Sequence, residues 1–381
     1  MIIDKNKIGN KKVILIILGT RPEIIKLFVL YRLLKNSAEF YPVFYNSAQQ
    51  KISNDILSYL DLEFDVSAEE ILNRSADLDL FISHLMKDLN RQFVQGESGL
   101  TVKDISGIAV QGDTVSAYCG TAWGFLNEIP VFHVEAGLRT FDHQNPFPEE
   151  FFRESISRSS ALNFCPTQIS FNNLKREGIN TKKSFITGNT INDAIITLMN
   201  ENKIKDYDKN DFILSTLHRR ENWDKVADYS RILNRLLNEG VTKRKILHLL
   251  HPNPAIREQF FAGLGGKANE NLIICDPIND YFQMLGVVRK SHSIISDSGG
   301  LQEESLFYNI PCGIMRIVTE RPEVLDKNAR LLSFDFKAVS DFIIYSEKYR
   351  DSNKEEFDYT FGRGNTSELI YDILKDYYKL N

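Results

Sequence analysis

VILIILGTRPEIIK, residues 13–26, contains the transition that decides the fold. Its first six residues form a short apolar run rich in β-branched side chains, which is typical of a buried strand. Gly19 then allows a tight turn, and Pro22 suits the first turn of a helix. Beyond the turn, apolar residues recur near helical spacing. The stretch therefore predicts a strand, a turn and an amphipathic helix.

The same alternation of apolar runs and helical segments repeats along the chain. Further strands are expected at 41–46, 107–113, 129–135 and 212–218, and within 245–252, 271–277, 292–300 and 310–315. Such a pattern predicts an α/β fold in which parallel sheets are covered on both faces. The polar stretch 200–211 marks a boundary. We therefore expect Rossmann-like domains at 1–199 and 200–360 facing a cleft, and a C-terminal helix at 361–381 that packs on the first domain.

Composition narrows the class of protein. The 381 residues are 43% hydrophobic and 25% charged, as in a globular protein, and the net charge of -5 argues against nucleic-acid or anionic-membrane partners. The four cysteines show no C-x-x-C spacing, which favours a reducing compartment. The N-terminus lacks a signal-peptide pattern, and the apolar run 13–18 is too short to span a bilayer. We expect a cytoplasmic protein.

Two turns are candidates for anion binding. In GTRPEIIK (19–26), Arg21 and Lys26 follow the start of a helix, whose free N–H groups attract phosphate; the alternative is a turn with two solvated cations. In SDSGGLQEE (296–304), glycines between a strand and a helix let a diphosphate approach the backbone. Glu304, one turn further on, is placed to meet ribose hydroxyls. A glycine turn with a solvated acidic face remains the alternative there.

Basic residues also follow a strand in LHRREN (217–222), where His218, Arg219 and Arg220 can bind phosphate or move a proton. TERPE (319–323) combines a base, a proline and an acid in a similar way. Its Arg321 and Glu323 either face the cleft or form a surface ion pair of little energetic value.

The stretch VFHVEAGLRTFDHQNPFPEE, residues 131–150, is rich in carboxylates. A metal site, an acid/base site and a solvated loop are the three interpretations. The spacing of its histidines and acids matches no metal motif, and no metal is expected. Acid/base chemistry needs carboxylates held on different elements. Asp113 and Glu135 end adjacent predicted strands and Glu149 opens a helix, so these three acids meet that need.

Together these motifs resemble the non-hydrolysing UDP-N-acetylglucosamine 2-epimerases of bacteria. The resemblance rests on GTRPEIIK, QGDT, HVEAGLRT, PFPEE, ITGNTINDA, HRREN, DSGGLQEE and TERPE, which occur in that order, and on FGRGNTSELI near the end. It implies a GT-B-type architecture with the UDP-sugar in the cleft, no cofactor, and a homodimer. It also implies that the C2 proton is removed while UDP leaves C1, giving a 2-acetamidoglucal, and that UDP then adds back.

The resemblance assigns roles to particular residues. It implies proton transfer and sugar contacts for Asp113, Glu135 and Glu149, and places His218 near the diphosphate. The cations expected to contact the substrate, and the residues expected to hold diphosphate and ribose, are Arg21, Lys26, Arg153, Arg321, Ser298, Gly299, Gly300 and Glu304.

Several positions depart from the family pattern. Gln111 stands where a histidine is usual before GDT, and Leu217 replaces a glycine before HRRE; Phe152 replaces a small or amide residue. In SAQQK (47–51), Gln50 and Lys51 replace the histidine and arginine that line an allosteric UDP-N-acetylglucosamine site in many bacterial members. A related UDP-2-acetamido sugar as substrate, a hydrolysing epimerase, a glycosyltransferase and a non-catalytic binding protein remain alternatives.

Overall fold

The computed structural model of the chain describes residues 2–52, 54–68, 77–325, 327–352 and 357–380. It divides into two compact units: unit 1 comprises residues 1–197 and 361–381, and unit 2 comprises 198–360. Each unit is built on one sheet, and the strand pairs within both sheets are parallel. The prediction of two parallel α/β halves is confirmed.

Unit 1 carries a seven-stranded sheet in the order β3-β2-β1-β4-β5-β6-β7. Its elements are β1 (Lys12–Leu18), α1 (Arg21–Asn36), β2 (Phe40–Asn46), α2 (Asn54–Tyr59), β3 (Val66–Ser67), α3 (Leu78–Leu89), β4 (Ile105–Gln111), α4 (Val115–Leu126), β5 (Val131–Val134), α5 (Glu149–Ser159), β6 (Leu162–Cys165), α6 (Gln168–Arg176), β7 (Ser184–Ile186) and α7 (Thr190–Asn200).

Unit 2 carries a six-stranded sheet in the order β10-β9-β8-β11-β12-β13. Its elements are β8 (Phe212–Thr216), α8 (Val226–Asn238), β9 (Ile246–Leu249), α9 (Pro254–Leu264), β10 (Leu272–Cys275), α10 (Tyr281–Lys290), β11 (Ser291–Ser296), α11 (Gly299–Phe307), β12 (Cys312–Ile314), β13 (Ala329–Leu331) and α12 (Phe336–Ser352). Residues 220–225 form a 3-10 helix, and α8 follows it directly.

The apolar run at residues 13–18 lies in β1, an interior strand of the first sheet. β1 pairs with β2 on one side and β4 on the other, and its residues from Val13 to Leu18 are buried. Burying a valine, leucine or isoleucine side chain stabilises a fold by roughly 1.5–3 kcal/mol. A central strand with apolar side chains on both faces therefore anchors the helices that pack against it.

The C-terminal helix α13 (Thr366–Tyr378) belongs to unit 1 and is held at its N-terminus by α7. The Asp193 carboxylate on α7 accepts hydrogen bonds from the backbone N–H groups of Thr366 and Ser367 at 3.1 and 2.5 Å. These two N–H groups have no partner within the helix itself, so a buried carboxylate is a favourable cap. Within the described ranges, no helix combines the length and hydropathy that a membrane span requires.

Candidate active site

The turn between β1 and α1 is closed by a capping box. Glu23 is fully buried, and its Oε2 accepts hydrogen bonds from the backbone N–H groups of Gly19 at 2.9 Å and Thr20 at 2.8 Å. Its other oxygen accepts from the Thr114 hydroxyl at 2.6 Å, on the loop between β4 and α4. A Cβ at Gly19 would lie 1.8 Å from the Ser47 Oγ, so only glycine fits there. The Glu23 side chain thus joins two loops at the carboxyl edge of the sheet.

Burial raises the pKa of Glu23 from 4.5 to about 7, although hydrogen bonds from Thr114, Gly19 and Thr20 oppose the shift. The folded protein therefore retains this proton between pH 4.5 and 7 while the unfolded chain releases it, so the group lowers stability as pH rises through that window. Over this window the unfolding free energy falls by roughly 3 kcal/mol because of this group, and we expect Glu23→Gln to abolish that fall. Unfolding by urea at several pH values measures this decline, with Glu258→Gln at an exposed carboxylate as control. An equal fall of the unfolding free energy between pH 4.5 and 7 in wild type and both variants would contradict the prediction.

Glu135 is the carboxylate that follows β5. It forms a buried ion pair with Lys26 on α1, and the Asn189 side-chain amide donates to the same oxygen at 2.9 Å. The Glu135 backbone has a φ of 67°, a left-handed conformation that is costly for a residue with a Cβ. Such strain persists where the surrounding contacts determine the position of the side chain. Lys26, Asn189 and the backbone together orient this carboxylate.

Asp113 follows β4, the strand next to β5 in the sheet. Its Oδ2 accepts from Arg153 Nε at 2.7 Å, and the Nη1 of the same guanidinium donates to Glu150 at 2.9 Å. Glu150 is fully buried and also accepts from the backbone N–H groups of Thr140 and Phe141. The Asp113 side chain keeps 28% exposure, so its carboxylate is both oriented and accessible.

The turn that carries Asp113 is supported from below by His133 on β5. His133 Nε2 donates to the carbonyl oxygen of Gly112 at 2.8 Å, and its Nδ1 accepts from the Ser157 hydroxyl at 3.2 Å. Burial lowers the pKa of His133 to about 4, so the ring is neutral at pH 7. Because each ring nitrogen has a protein partner, this histidine orients the turn and is not free to exchange protons.

Arg139 and His143, in the same 131–150 stretch, pair with carboxylates of their own. Arg139 forms a bidentate ion pair with Glu177 at 2.6 and 2.9 Å, which ties two loops together. His143 is exposed and pairs with Glu154. Glu149 begins α5, one turn before Arg153, so their side chains share a helix face. The described residues include no group of three or more His, Cys, Asp or Glu placed to hold a metal ion.

In unit 2, Asp297 organises the loop that carries His218. The Asp297 carboxylate is fully buried and accepts from the backbone N–H groups of His218 and Arg219, each at 3.0 Å. It also accepts from the Asn222 side chain at 3.0 Å, and its Oδ1 lies 3.1 Å from His218 Nδ1. The His218 side chain is 46% exposed. A buried carboxylate behind the loop thus presents the imidazole to solvent in a fixed orientation.

The start of α11 has the features of an anion site. The Ser298 hydroxyl caps the helix by accepting from the Leu301 N–H at 3.4 Å. A Cβ at Gly299 would lie 3.0 Å from Arg321 Nη1, so glycine allows that guanidinium to reach the helix N-terminus. Arg321 is buried and pairs with Glu303 at 2.6 Å and with Glu320. Glu323 is buried as well, so the alternative of a surface ion pair is wrong.

A second buried arginine stands in the same cluster. Arg316 pairs with Glu320 at 2.9 Å; its burial lowers its pKa, and the positive charges of Arg219 and Arg321 lower it further. Glu303 and Glu320 partly neutralise the two buried arginines, and the charge of Glu320 opposes the fall in the Arg316 pKa. Glu304, on the same helix as the glycines, accepts from the Tyr281 hydroxyl at 3.0 Å. The cluster offers cations and helix N–H groups to a phosphate.

The sequence did not single out several residues of the sites in unit 1 and unit 2. These are Glu23, Glu150, Asn189, Asp297 and Arg316. Glu23 carried a local signal, since Thr20 and Glu23 have the spacing of a capping box. Glu150, Asn189 and Asp297 lie in the motifs PFPEE, ITGNTINDA and DSGGLQEE, but the resemblance assigned them no role. Arg21, in contrast, was predicted and is exposed at the first position of α1, where its backbone N–H donates to Gln50 at 3.3 Å.

Comparison with known proteins identifies the family. The model of the UDP-N-acetylglucosamine 2-epimerase family matches residues 63–375, which is most of the chain. The chain belongs to this family. The UDP-N-acetylglucosamine 2-epimerase of Methanococcus maripaludis is 33% identical over 374 residues, covering 94% of this chain and 97% of the relative. The Neisseria meningitidis enzyme of the same name is 31% identical, covering 95% and 98%.

Solved structures agree with the family assignment. The Neisseria meningitidis UDP-GlcNAc 2-epimerase, bound to UDP-GlcNAc, superposes with a TM-score of 0.84 at 29% identity over 96% of this chain and 100% of that one. The Methanocaldococcus jannaschii enzyme, in complex with UDP-GlcNAc and UDP, gives 0.76 at 28% identity over 96% and 99%. The resemblance to UDP-N-acetylglucosamine 2-epimerases is confirmed, and so is the GT-B-like class of fold. Members of the family are enzymes that act on carbohydrates.

Proposed function

We propose that this protein interconverts UDP-N-acetylglucosamine and UDP-N-acetylmannosamine by eliminating UDP and adding it back. In the forward direction a carboxylate takes the C2 proton, the C1–O bond breaks, and UDP leaves with its electron pair to give 2-acetamidoglucal. In the return direction UDP attacks C1 and a proton is delivered to the opposite face of C2. The family assignment and the ligands of the relatives support this substrate.

The arrangement of Asp113 and Glu135 is the observation that carries the proposal. The two carboxylates follow neighbouring strands, and each is oriented by its own cation, Arg153 for Asp113 and Lys26 for Glu135. Proton removal from one face of a carbon and delivery to the other needs two independently held acids or bases. Glu149, which opens α5, is a third candidate for this role.

We assign the nucleotide to unit 2. The diphosphate would accept hydrogen bonds from the N–H groups at the start of α11, beside Ser298, Gly299 and Gly300. It would also lie against Arg321 and Arg316. His218, fixed by Asp297, would donate to a phosphate oxygen as negative charge develops on departing UDP. Glu304 would accept from the ribose hydroxyls. We call Asp113, Glu135 and Glu149 the acid/base cluster, and we call these residues of unit 2 the leaving-group cluster.

The purified protein, incubated with UDP-N-acetylglucosamine in deuterated water, tests the proposal. We expect proton NMR to show both UDP-sugars at equilibrium and deuterium at C2 of each, because the abstracted proton exchanges with solvent. Retention of the C2 proton in the epimerised product would contradict elimination. Irreversible accumulation of free UDP and N-acetylmannosamine would instead identify a hydrolysing epimerase, and transfer of the sugar to an added acceptor would identify a glycosyltransferase.

A further inference from the structure

Unit 2 contains a cavity that the proposed reaction does not use. It has a volume of about 600 Å³ and lies where β8, β9 and β10 begin, with Phe212, Leu247 and Ile273 among its lining residues. His218 and Asp297 follow the carboxyl ends of β8 and β11, so the cavity is at the other edge of the same sheet. Ligand pockets in proteins have volumes of roughly 300–1,000 Å³, so this space is large enough for a small molecule.

The wall of this cavity carries four cations and one carboxylate, that of Asp211. Lys209, Lys243 and Lys245 line it, together with Arg244. The Arg244 guanidinium is already neutralised, since it pairs with Asp211 at 2.8 Å and with Glu347. Among the described residues, none of the three lysine ammonium groups has a carboxylate within 4.0 Å. With Lys209, Lys243, Lys245 and Arg244 set against the carboxylates of Asp211 and Glu347, four positive charges face two negative ones, and this excess favours an anionic occupant.

Apolar and aromatic groups form a further part of the lining, beside Asn210 and Asp211. Phe212 and Leu247 are buried, and the half-buried Tyr207 ring packs edge-on against Phe212 with the centroids 5.6 Å apart. A lining that is partly apolar, with a few charged groups at its border, is typical of sites for small organic ligands. The Tyr207 ring offers a surface on which a planar base can stack. If the three lysines were only solvated surface charges, the apolar lining beside them would have no role.

We propose that this cavity binds a nucleotide, with the phosphates at Lys209, Lys243 and Lys245 and the base near Tyr207. The ammonium groups act as point charges that match phosphate oxygens. The proposal is independent of the epimerase mechanism, because none of these residues belongs to the acid/base or leaving-group clusters. Acidic polypeptides and anionic membranes are the competing classes of ligand, and the apolar lining favours a small ligand with a ring.

Lysine footprinting of the full-length protein locates the ligand directly. The protein is treated with an amine-reactive label in the absence and presence of ADP, and labelling of each lysine is read by mass spectrometry. We expect millimolar ADP to slow labelling of Lys209, Lys243 and Lys245 several-fold, and pyrophosphate to do so less. Unprotected lysines would overturn the proposal. Protection by polyglutamate or phosphatidylglycerol vesicles, but not by ADP, would assign the surface to a macromolecule or a membrane instead.

A charge-matched pair of variants provides the second test. Replacing Lys209, Lys243 and Lys245 by alanine is compared with the same replacement at three exposed lysines elsewhere, Lys182, Lys267 and Lys348. Calorimetry with ADP should show loss of the cavity site in the first variant, with affinity weakened more than about tenfold, and no loss in the control. Both variants should retain epimerase turnover. Equal ADP binding in the two variants would mean that the cavity is not a nucleotide site.

Discussion

Replacing Glu135 by glutamine is expected to lower epimerase turnover by about 10²–10⁴-fold, the usual contribution of a positioned acid or base. Glutamine has nearly the same shape and can still accept from Asn189, whose amide donates to Glu135 at 2.9 Å. The neutral glutamine amide cannot accept the proton that leaves C2 of the sugar. The measurement is the rate of approach to equilibrium from each UDP-sugar, expressed per folded molecule.

The same substitution removes one charge of the buried Lys26–Glu135 pair, and breaking a buried pair costs roughly 3–5 kcal/mol. Glu177→Gln is the matched control, because Glu177 is the partner of another buried cation, Arg139, in the same unit. Both variants should lose stability, and only Glu135→Gln should lose turnover per folded molecule. If turnover falls equally in both, the effect is on the fold; if Glu135→Gln retains turnover, its catalytic role is wrong.

The position of Lys26 shows why the sequence predicted the site only in part. The motif GTRPEIIK indicated that a cation stands near a helix start, and the structure places Lys26 on the first turns of α1. Its partner Glu135 is 109 residues away along the chain. Local spacing predicts which strand ends carry acids, because polar residues there interrupt apolar runs. Which cation meets which acid depends on how β1 and β5 are ordered in the sheet, and that order comes from tertiary pairing.

The TERPE motif shows a different limit. Its residues left two interpretations open, and the structure pairs Arg321 with Glu303 on α11 and with the adjacent Glu320. Gly299 permits that approach because any side chain there would meet the guanidinium. The glycine pair was interpreted as room for a phosphate. Gly299 also leaves space for Arg321, and this depends on how the loop after β12 packs against the start of α11.

Replacing Asp297 is expected to lower both the stability of unit 2 and its affinity for UDP. Its carboxylate accepts three hydrogen bonds from the loop that carries His218, and it is fully buried. Asp297→Asn removes the charge and turns an amide N–H toward those donors. Each unsatisfied buried donor costs about 1–3 kcal/mol, so we expect the unfolding free energy to fall by roughly 2–5 kcal/mol. Thermal and urea unfolding measure this loss.

The Asp297→Asn variant should also bind UDP more weakly than His218→Ala does. His218→Ala removes one phosphate contact and keeps the loop, whereas Asp297→Asn releases the backbone of His218 and Arg219 together. Titration calorimetry with UDP on the folded proteins separates the two cases. Asp228→Asn, at an exposed carboxylate of the same unit, is the control and should change stability by no more than about 0.5 kcal/mol. Wild-type UDP affinity in Asp297→Asn would show that the loop does not need its buried anchor.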